Sequence, residues 1–255
     1  MKISDLNPIY DQLQLKYGAP ELNSIYNGGC ENHPDLCFVF MNPTGRNIAS
    51  LKSWPGRKSP WIGTKNIWSL FHDLNLVDEN IFQTIRRIKG SDWTPEFANR
   101  VYDDVEKHKY FITNLGKCTQ LDARELPDSV LAEYLHLLEQ EIDIIKPKVT
   151  ILFGNQVSSI VLGQKISVST VRKQPFIKNI NGTNYTFYSV YYPVGNGHFN
   201  IDKSIEDIKW IIKEEINIHS QKNGAAGRGR TCDLLVTNEL LYQLSYSGTL
   251  TIILP

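Results

Sequence analysis

Three asparagines each follow a short apolar run: Asn42, Asn114 and Asn155. Leu36 to Met41 is rich in aromatic and branched side chains and reads as a buried strand. Pro43 removes a backbone donor and Gly45 permits a left-handed turn, so that strand stops at Asn42. Tyr110 to Thr113 is a second such strand and ends at Asn114, and Val149 to Phe153 is a third, ending at Gly154-Asn155. Tyr185 to Tyr191 runs into Tyr192-Pro193 and a loop that carries His198. The carboxyl ends of strands are where open α/β sheets bind ligands, and a row of amides there could hold a water or read a polar edge. Asn-Pro is also an ordinary turn dipeptide, and Asn114 could be a turn residue.

The stretch from Arg46 to His72 holds Arg46, Lys52, Arg57, Lys58 and Lys65 and has no acidic residue. Trp54, Trp61 and Trp68 are interleaved with these charges. Cations grip a phosphate backbone and aromatic rings stack on bases, so the combination suits nucleic acid. The plainer alternative is a solvated loop whose tryptophans fold back onto the core.

Helices must carry the chain from one strand to the next. The pattern predicts helices over Ser4 to Tyr17, Asn66 to Leu76, Asp78 to Ile88, Thr94 to His108, Ser129 to Ile145, Gln156 to Leu162 and Asp202 to Ile218. Thr94-Pro95-Glu96 supplies a cap, a first-turn proline and an acid, and Asp128 is the expected cap of the long helix. Phe176 to Ile180 pairs with the strand from Tyr185 as a hairpin around Asn181-Gly182, and residues 19 to 35 read as loop. Strands alternating with helices imply a largely parallel sheet covered on both faces. Residues 1–220 form the expected domain, and residues 221–255, a Gly-rich basic linker and a segment without βα rhythm, are expected outside it.

The 255 residues carry no formal net charge, so bulk electrostatics announce no polyanionic partner. The four cysteines, Cys30, Cys37, Cys118 and Cys232, form no C-x-x-C pair and suggest a reducing compartment. No leader-length apolar core opens the chain, and no run reaches the roughly 18 apolar residues of a membrane span. A soluble, cytoplasmic monomer is the expectation.

Five blocks in order, FMNPTG, SPWIGTKN, ITNLGKC, PKVTILFG and YYPVGNGHFN, resemble the uracil-DNA glycosylase superfamily over Leu36 to Asn200. The resemblance implies a three-layer αβα fold around a central, mainly parallel four-stranded sheet. It implies removal of uracil or a related damaged pyrimidine from DNA. Met41-Asn42-Pro43 looks like the first motif of the branches that use asparagine to hold the attacking water. Trp61 falls in the segment whose ring stacks on the flipped base, and Asn114 matches the amide that reads the pyrimidine. Met41, Pro43, Trp61 and Asn114 would thus form the base site, and Arg46, Lys52, Arg57, Lys58 and Lys65 would meet DNA phosphates.

Two positions depart from the family pattern. Tyr192 stands where the family has histidine before proline, and His198 lies in the same loop as a substitute donor to the departing base. One branch carries an iron–sulfur cluster on four cysteines. Here Cys118 fits one position, Tyr134 occupies another, and Cys30 and Cys37 lack the paired spacing, so no cofactor and no metal are expected. The missing histidine keeps open a nucleic-acid or nucleobase-binding module without activity. A third alternative is an α/β enzyme acting on a free nucleoside or nucleotide.

Overall fold

A computed structural model describes residues 1–122, 126–193 and 199–217. The chain divides into two compact units, Met1–Ile212 and Lys213–Pro255. Within the first, six strands form one sheet: β1 (Asn27–Gly29), β2 (Leu36–Phe40), β3 (Tyr110–Asn114), β4 (Val149–Phe153), β5 (Phe176–Ile180) and β6 (Thr183–Val190). Their order is β1-β3-β2-β4-β6-β5. The four central strands are parallel, as the βα alternation predicts, and an antiparallel strand extends the sheet at each edge. β5 is the expected hairpin partner of β6. β1 lies in the segment read as loop; its sequence is Asn-Gly-Gly, which carries no side-chain pattern to reveal a strand.

The helices of this unit are α1 (Asn7–Tyr17), α2 (Asn66–Asp73), α3 (Glu79–Arg87), α4 (Pro95–Lys107), α5 (Asp128–Ile145), α6 (Asn155–Leu162) and α7 (Ile201–Ile211). Each falls within two or three residues of its predicted span, except that the last helix passes at Ile212 into a π-helical turn, Ile212–Asn217. Thr94 caps α4 by accepting from the Phe97 amide at 3.2 Å. Asp128 is not the cap of α5 but its first residue, where a carboxylate still favours the helix dipole. Gln156 Nε2 donates to Asp128 Oδ1 at 2.8 Å and so ties the start of α6 to that of α5. α5 ends at Lys146 in the left-handed region before Pro147.

All five residues of β2, β3 and β4 are buried, as parallel strands covered on both faces require. Alternation then sorts the faces. Cys37, Val39, Phe111 and Leu152 pack with Tyr10 and with Leu131, Leu138 and Ile142 of α5. Phe38 and Phe40 point the other way, and Phe38 meets Phe71 of α2 and Tyr110 of β3 at centroid distances of 5.2 and 5.7 Å. Trp68, the third interleaved tryptophan, is fully buried in this layer against Tyr102. Arg172 clamps the buried Asp207 of α7 through Nε and Nη2, each at 2.9 Å. No described helix is long and apolar enough to cross a membrane. Residues 221–255 lie outside the described residues.

The β5–β6 turn has Asn181 at φ +48° and Gly182 at φ +86°, with open space around the glycine. Both central residues in the left-handed region match a hairpin turn that follows the strand twist. Gly182→Ala therefore meets no atom and pays only for backbone. A loss of about 1–2 kcal/mol is expected in denaturant unfolding, with an unchanged m-value.

Candidate active site

The site grows from the end of the β2–β3 ladder. Phe40 and Asn114 are register partners. Pairing continues past the strands: Leu115 N donates to Phe40 O at 2.7 Å and Gly116 N to Met41 O at 2.8 Å. Further on, Gln120 N donates to Pro43 O at 3.2 Å and Gly45 N to Gln120 O at 2.8 Å. The two loops are zipped together, so Asn42 and Asn114 stand on one edge. With Trp61, Asn155 and Tyr192 they line one cavity of about 860 Å³. That is within the usual range of small-molecule sites, and it sits at the carboxyl edge where the order of an open sheet reverses.

The two amides differ in what they offer. Asn42 is 7% exposed, and its Nδ2 donates to Pro43 O at 3.2 Å. This fixes the amide so that Oδ1 is the remaining group, a buried acceptor without a partner among the described residues. Asn114 is 2% exposed and has the complementary property: its buried Nδ2 is a donor without a partner. Asn155 is exposed, and its Oδ1 is already used by the Val168 amide at 2.9 Å.

Aromatic rings make the wall. Phe40 and Phe153 stack at 4.3 Å with an interplanar angle of 9°. Trp61 meets Phe40 edge-on at 4.9 Å and 77°. Its backbone is left-handed, φ +65°, which is strained for a bulky residue. Core side chains hold it there: Trp68 Nε1 and Thr64 Oγ1 donate to Trp61 O at 3.2 and 2.7 Å, and Tyr102 Oη donates to Pro60 O at 2.5 Å. Tyr192 stands edge-on to Phe40 at 6.3 Å, and burial pushes its phenol well above the ordinary value. Met41 and Pro43 also line the cavity. His198 lies outside the described residues.

The five basic residues are not one group. Arg46 and Lys65 line the cavity, with Lys65 Nζ also donating to Arg86 O at 2.7 Å. Lys52 is exposed and lines neither depression. Arg57 and Lys58 line a separate, shallower depression with Glu31. Arg57 lies over the Tyr102 ring at 4.2 Å and bonds Ser59 Oγ at 3.0 Å, and Lys58 bonds Tyr26 Oη at 3.4 Å. Trp54 donates to Arg57 O at 3.0 Å and closes that turn.

Several participants carry little sequence signal. Phe153 reads as core, yet it lines the cavity, with the buried Phe40 ring stacked behind it. Gln156 sits behind Asn155 with both Nε2 hydrogens committed, to Leu126 O and Asp128 Oδ1 at 2.8 Å each. Its Oε1 is left as a second buried acceptor in the cavity lining. Beneath Asn114, Lys117 and Glu141 form a buried ion pair at 2.9 Å. Glu141 interrupts the apolar face of α5, which is the one hint the sequence holds.

The described cysteines build no metal site. Cys30, Cys37 and Cys118 are free and buried, and Tyr134 packs in the core with Cys118. Among the described residues, the grouping with metal-ligand spacing is Asp78, Asp104 and His108, which contains no cysteine. A four-cysteine cluster therefore does not fit the residues described.

Residues 28–206 match the family model described as the Uracil DNA glycosylase superfamily. A comparison with curated proteins finds no match. The family match takes in strands β2 to β6 and all but the first residue of β1, the paired amides and the aromatic wall, well over half of the chain, and the chain belongs to the uracil-DNA glycosylase superfamily.

Proposed function

We propose that this protein hydrolyses the N-glycosidic bond of uracil, or a related damaged pyrimidine, in DNA without a metal. The observation that carries this reading is the pair of opposed orphans in one aromatic-walled cavity: the Asn42 acceptor and the Asn114 donor. A base reaches such a cavity only by leaving the stack. Stacking on Trp61 or Phe153 and a hydrogen bond from Asn114 would offset the cost of unstacking. Asn42 Oδ1 accepts a hydrogen bond from a water, whose oxygen forms the new bond to the sugar carbon. The glycosidic C–N bond breaks, and its electron pair leaves with the base. The water then loses a proton to solvent.

The negative charge that grows on the base needs a donor aimed at its oxygen. Tyr192 and His198 are the candidates. Burial keeps the Tyr192 phenol protonated, so it can donate at any physiological pH. A second reading, a base-binding module without turnover, is favoured by tyrosine in place of the family's motif histidine.

Abasic-site cleavage on uracil-containing single-stranded and mismatched DNA separates these readings. Asn42→Ala is expected to lower excision by at least about 10²-fold, the usual scale for a misplaced reactant. Of Tyr192→Phe and His198→Ala, the one that removes the donor is expected to cost about 10²–10³-fold and the other little. DNA binding without abasic product from the unmutated protein would leave the binding module.

Where Tyr192 is the donor, the sign of the pH dependence follows from its raised pKa. The phenol donates only while protonated, and its folded value lies above the ordinary 10 or so, so single-turnover excision should hold from pH 7 to about 10. An alkaline fall centred below pH 9 would assign the donor elsewhere.

Phosphate contact is expected from the cations at the cavity. Arg46→Ala and Lys65→Ala should each weaken DNA binding and reduce the slope of log K against log salt by about 1. Arg57→Ala and Lys58→Ala should leave that slope unchanged, because those cations already serve Tyr102 and Tyr26.

A further inference from the structure

A charged cluster lies directly beneath the base-reading amide, and nothing in the proposed chemistry uses it. Lys117 is 1% exposed and Glu141 is not exposed at all. The Lys117 ammonium has three hydrogens to donate, and three acceptors surround it: Thr113 Oγ1, the Asn114 carbonyl at 2.8 Å, and the Glu141 carboxylate at 2.9 Å to Oε1 and 3.0 Å to Oε2. A neutral amine would turn a lone pair toward one of these acceptors, so the geometry calls for the ammonium.

Glu141 is equally occupied. Its Oε1 accepts from Tyr10 Oη at 3.0 Å and Asn27 Nδ2 at 2.7 Å, and its Oε2 from Thr113 Oγ1 at 2.7 Å. Helices α1 and α5, edge strand β1 and the end of β3 thus converge on one carboxylate. Buried ion pairs rarely add more stability than apolar residues of the same volume. This one meets the backbone of a single residue outside the pair, and that residue carries the orphan donor of the cavity.

We propose that Lys117 is a positioning residue for base recognition: by holding the Asn114 carbonyl, it fixes the direction in which the Asn114 amide enters the cavity. Its kinetic consequence rests on the glycosylase reading; its geometric consequence does not. Asn114 is the last residue of β3, where the ladder alone no longer fixes the peptide plane on both sides. The Leu115 amide is tied to Phe40 O at 2.7 Å and the Asn114 carbonyl to Lys117, so the peptide between them is gripped at both ends.

The test is a double-mutant cycle. Lys117→Met combined with Glu141→Gln removes both charges and leaves an amide that can accept from Tyr10 and Asn27 and donate to Thr113. With cooperative thermal unfolding retained, kcat/KM for uracil release is expected to fall at least tenfold. Adding Asn114→Ala should then cost nothing beyond Asn114→Ala alone, because both changes remove the same contact. Losses that multiply, or parent-like activity in the charge-free variant, would overturn the proposal.

Two NMR readouts decide it independently of turnover. The Asn114 side-chain NH2 signals, assigned by their absence in Asn114→Ala, should move in the charge-free variant; unmoved signals would overturn the proposal. In the unmutated protein a scalar coupling across the hydrogen bond is expected between Lys117 Nζ and the Asn114 carbonyl carbon. Its absence would overturn the proposal even where the variant does not fold. Failure of the unmutated protein to release uracil would sink the glycosylase reading alone and leave these two measurements to judge Lys117.

Discussion

The pairing of β2 with β3 does not stop where the strands stop, and the site depends on that continuation. Parallel strands present all their carboxyl ends on one edge, but they do not by themselves bring two loops into contact. Here the Leu115 and Gly116 amides keep donating to Phe40 and Met41, and Gln120 closes the ladder on Pro43 and Gly45. Gly116 packs closely beneath this ladder: a Cβ there would lie 2.9 Å from Leu131 Cδ2 and 3.3 Å from Leu126 Cδ1, so a larger residue would have to displace those leucine side chains. The relation between the two amides is a property of backbone hydrogen bonds, which hold it more rigidly than side-chain contacts could.

The apolar wall determines what those amides are worth. Phe40 and Phe153 are fully buried, and the half-buried Trp61 and Tyr192 complete a largely apolar surface. In such surroundings a hydrogen bond to a developing charge is stronger than in solvent, and an unpaired donor or acceptor is correspondingly costly. The left-handed backbone of Trp61 adds a further cost, about 1–3 kcal/mol for a residue of this kind. It is offset by bonds from Trp68, Thr64 and Tyr102 to the Pro60 and Trp61 carbonyls. Strain in the wall is thus held by a core packed with aromatic rings.

Side-chain patterns carried most of the fold. Short apolar runs rich in aromatic and branched residues located three of the parallel strands, Asn181-Gly182 located the hairpin that contains the fourth, and Thr94-Pro95 located the start of α4. Where a feature has no local pattern, the sequence was silent. β1 is Asn-Gly-Gly, held by pairing with β3 and by a Gly29 whose Cβ would lie 2.3 Å from Tyr110 O. The basic stretch was legible as charge but not as geometry, because the rings that engage Arg57 and Lys58 belong to Tyr102 and Tyr26, far away in the chain. Trp68 took the core role that any interleaved tryptophan could have had. Asn42 and Asn114 were visible as strand ends, yet their opposite hydrogen-bonding deficits are set by the Pro43 carbonyl and the packing around them. The aromatic and polar roles of Phe153 and Gln156 likewise exist only once the sheet edge is assembled.

Two groups of buried polar side chains meet at one residue. Around Glu141 every described polar partner is satisfied: Tyr10, Asn27, Thr113 and Lys117 all donate to it. In the cavity, Asn42 Oδ1, Asn114 Nδ2, Trp61 Nε1 and Gln156 Oε1 are buried and have no partner among the described residues. Leaving such a group unpaired costs about 1–3 kcal/mol, a cost that a polar ligand in the cavity would relieve. Asn114 belongs to both sets. Its carbonyl is an acceptor in the satisfied network and its amide a donor in the unsatisfied one. A saturated cluster cannot rearrange cheaply, because moving any member breaks bonds to several others. It therefore makes a firm anchor for an unsatisfied neighbour, which would otherwise turn to find a partner within the protein. The charge pair under Asn114 is in this sense the counterpart of the empty hydrogen bonds above it: the first keeps the second available to a ligand.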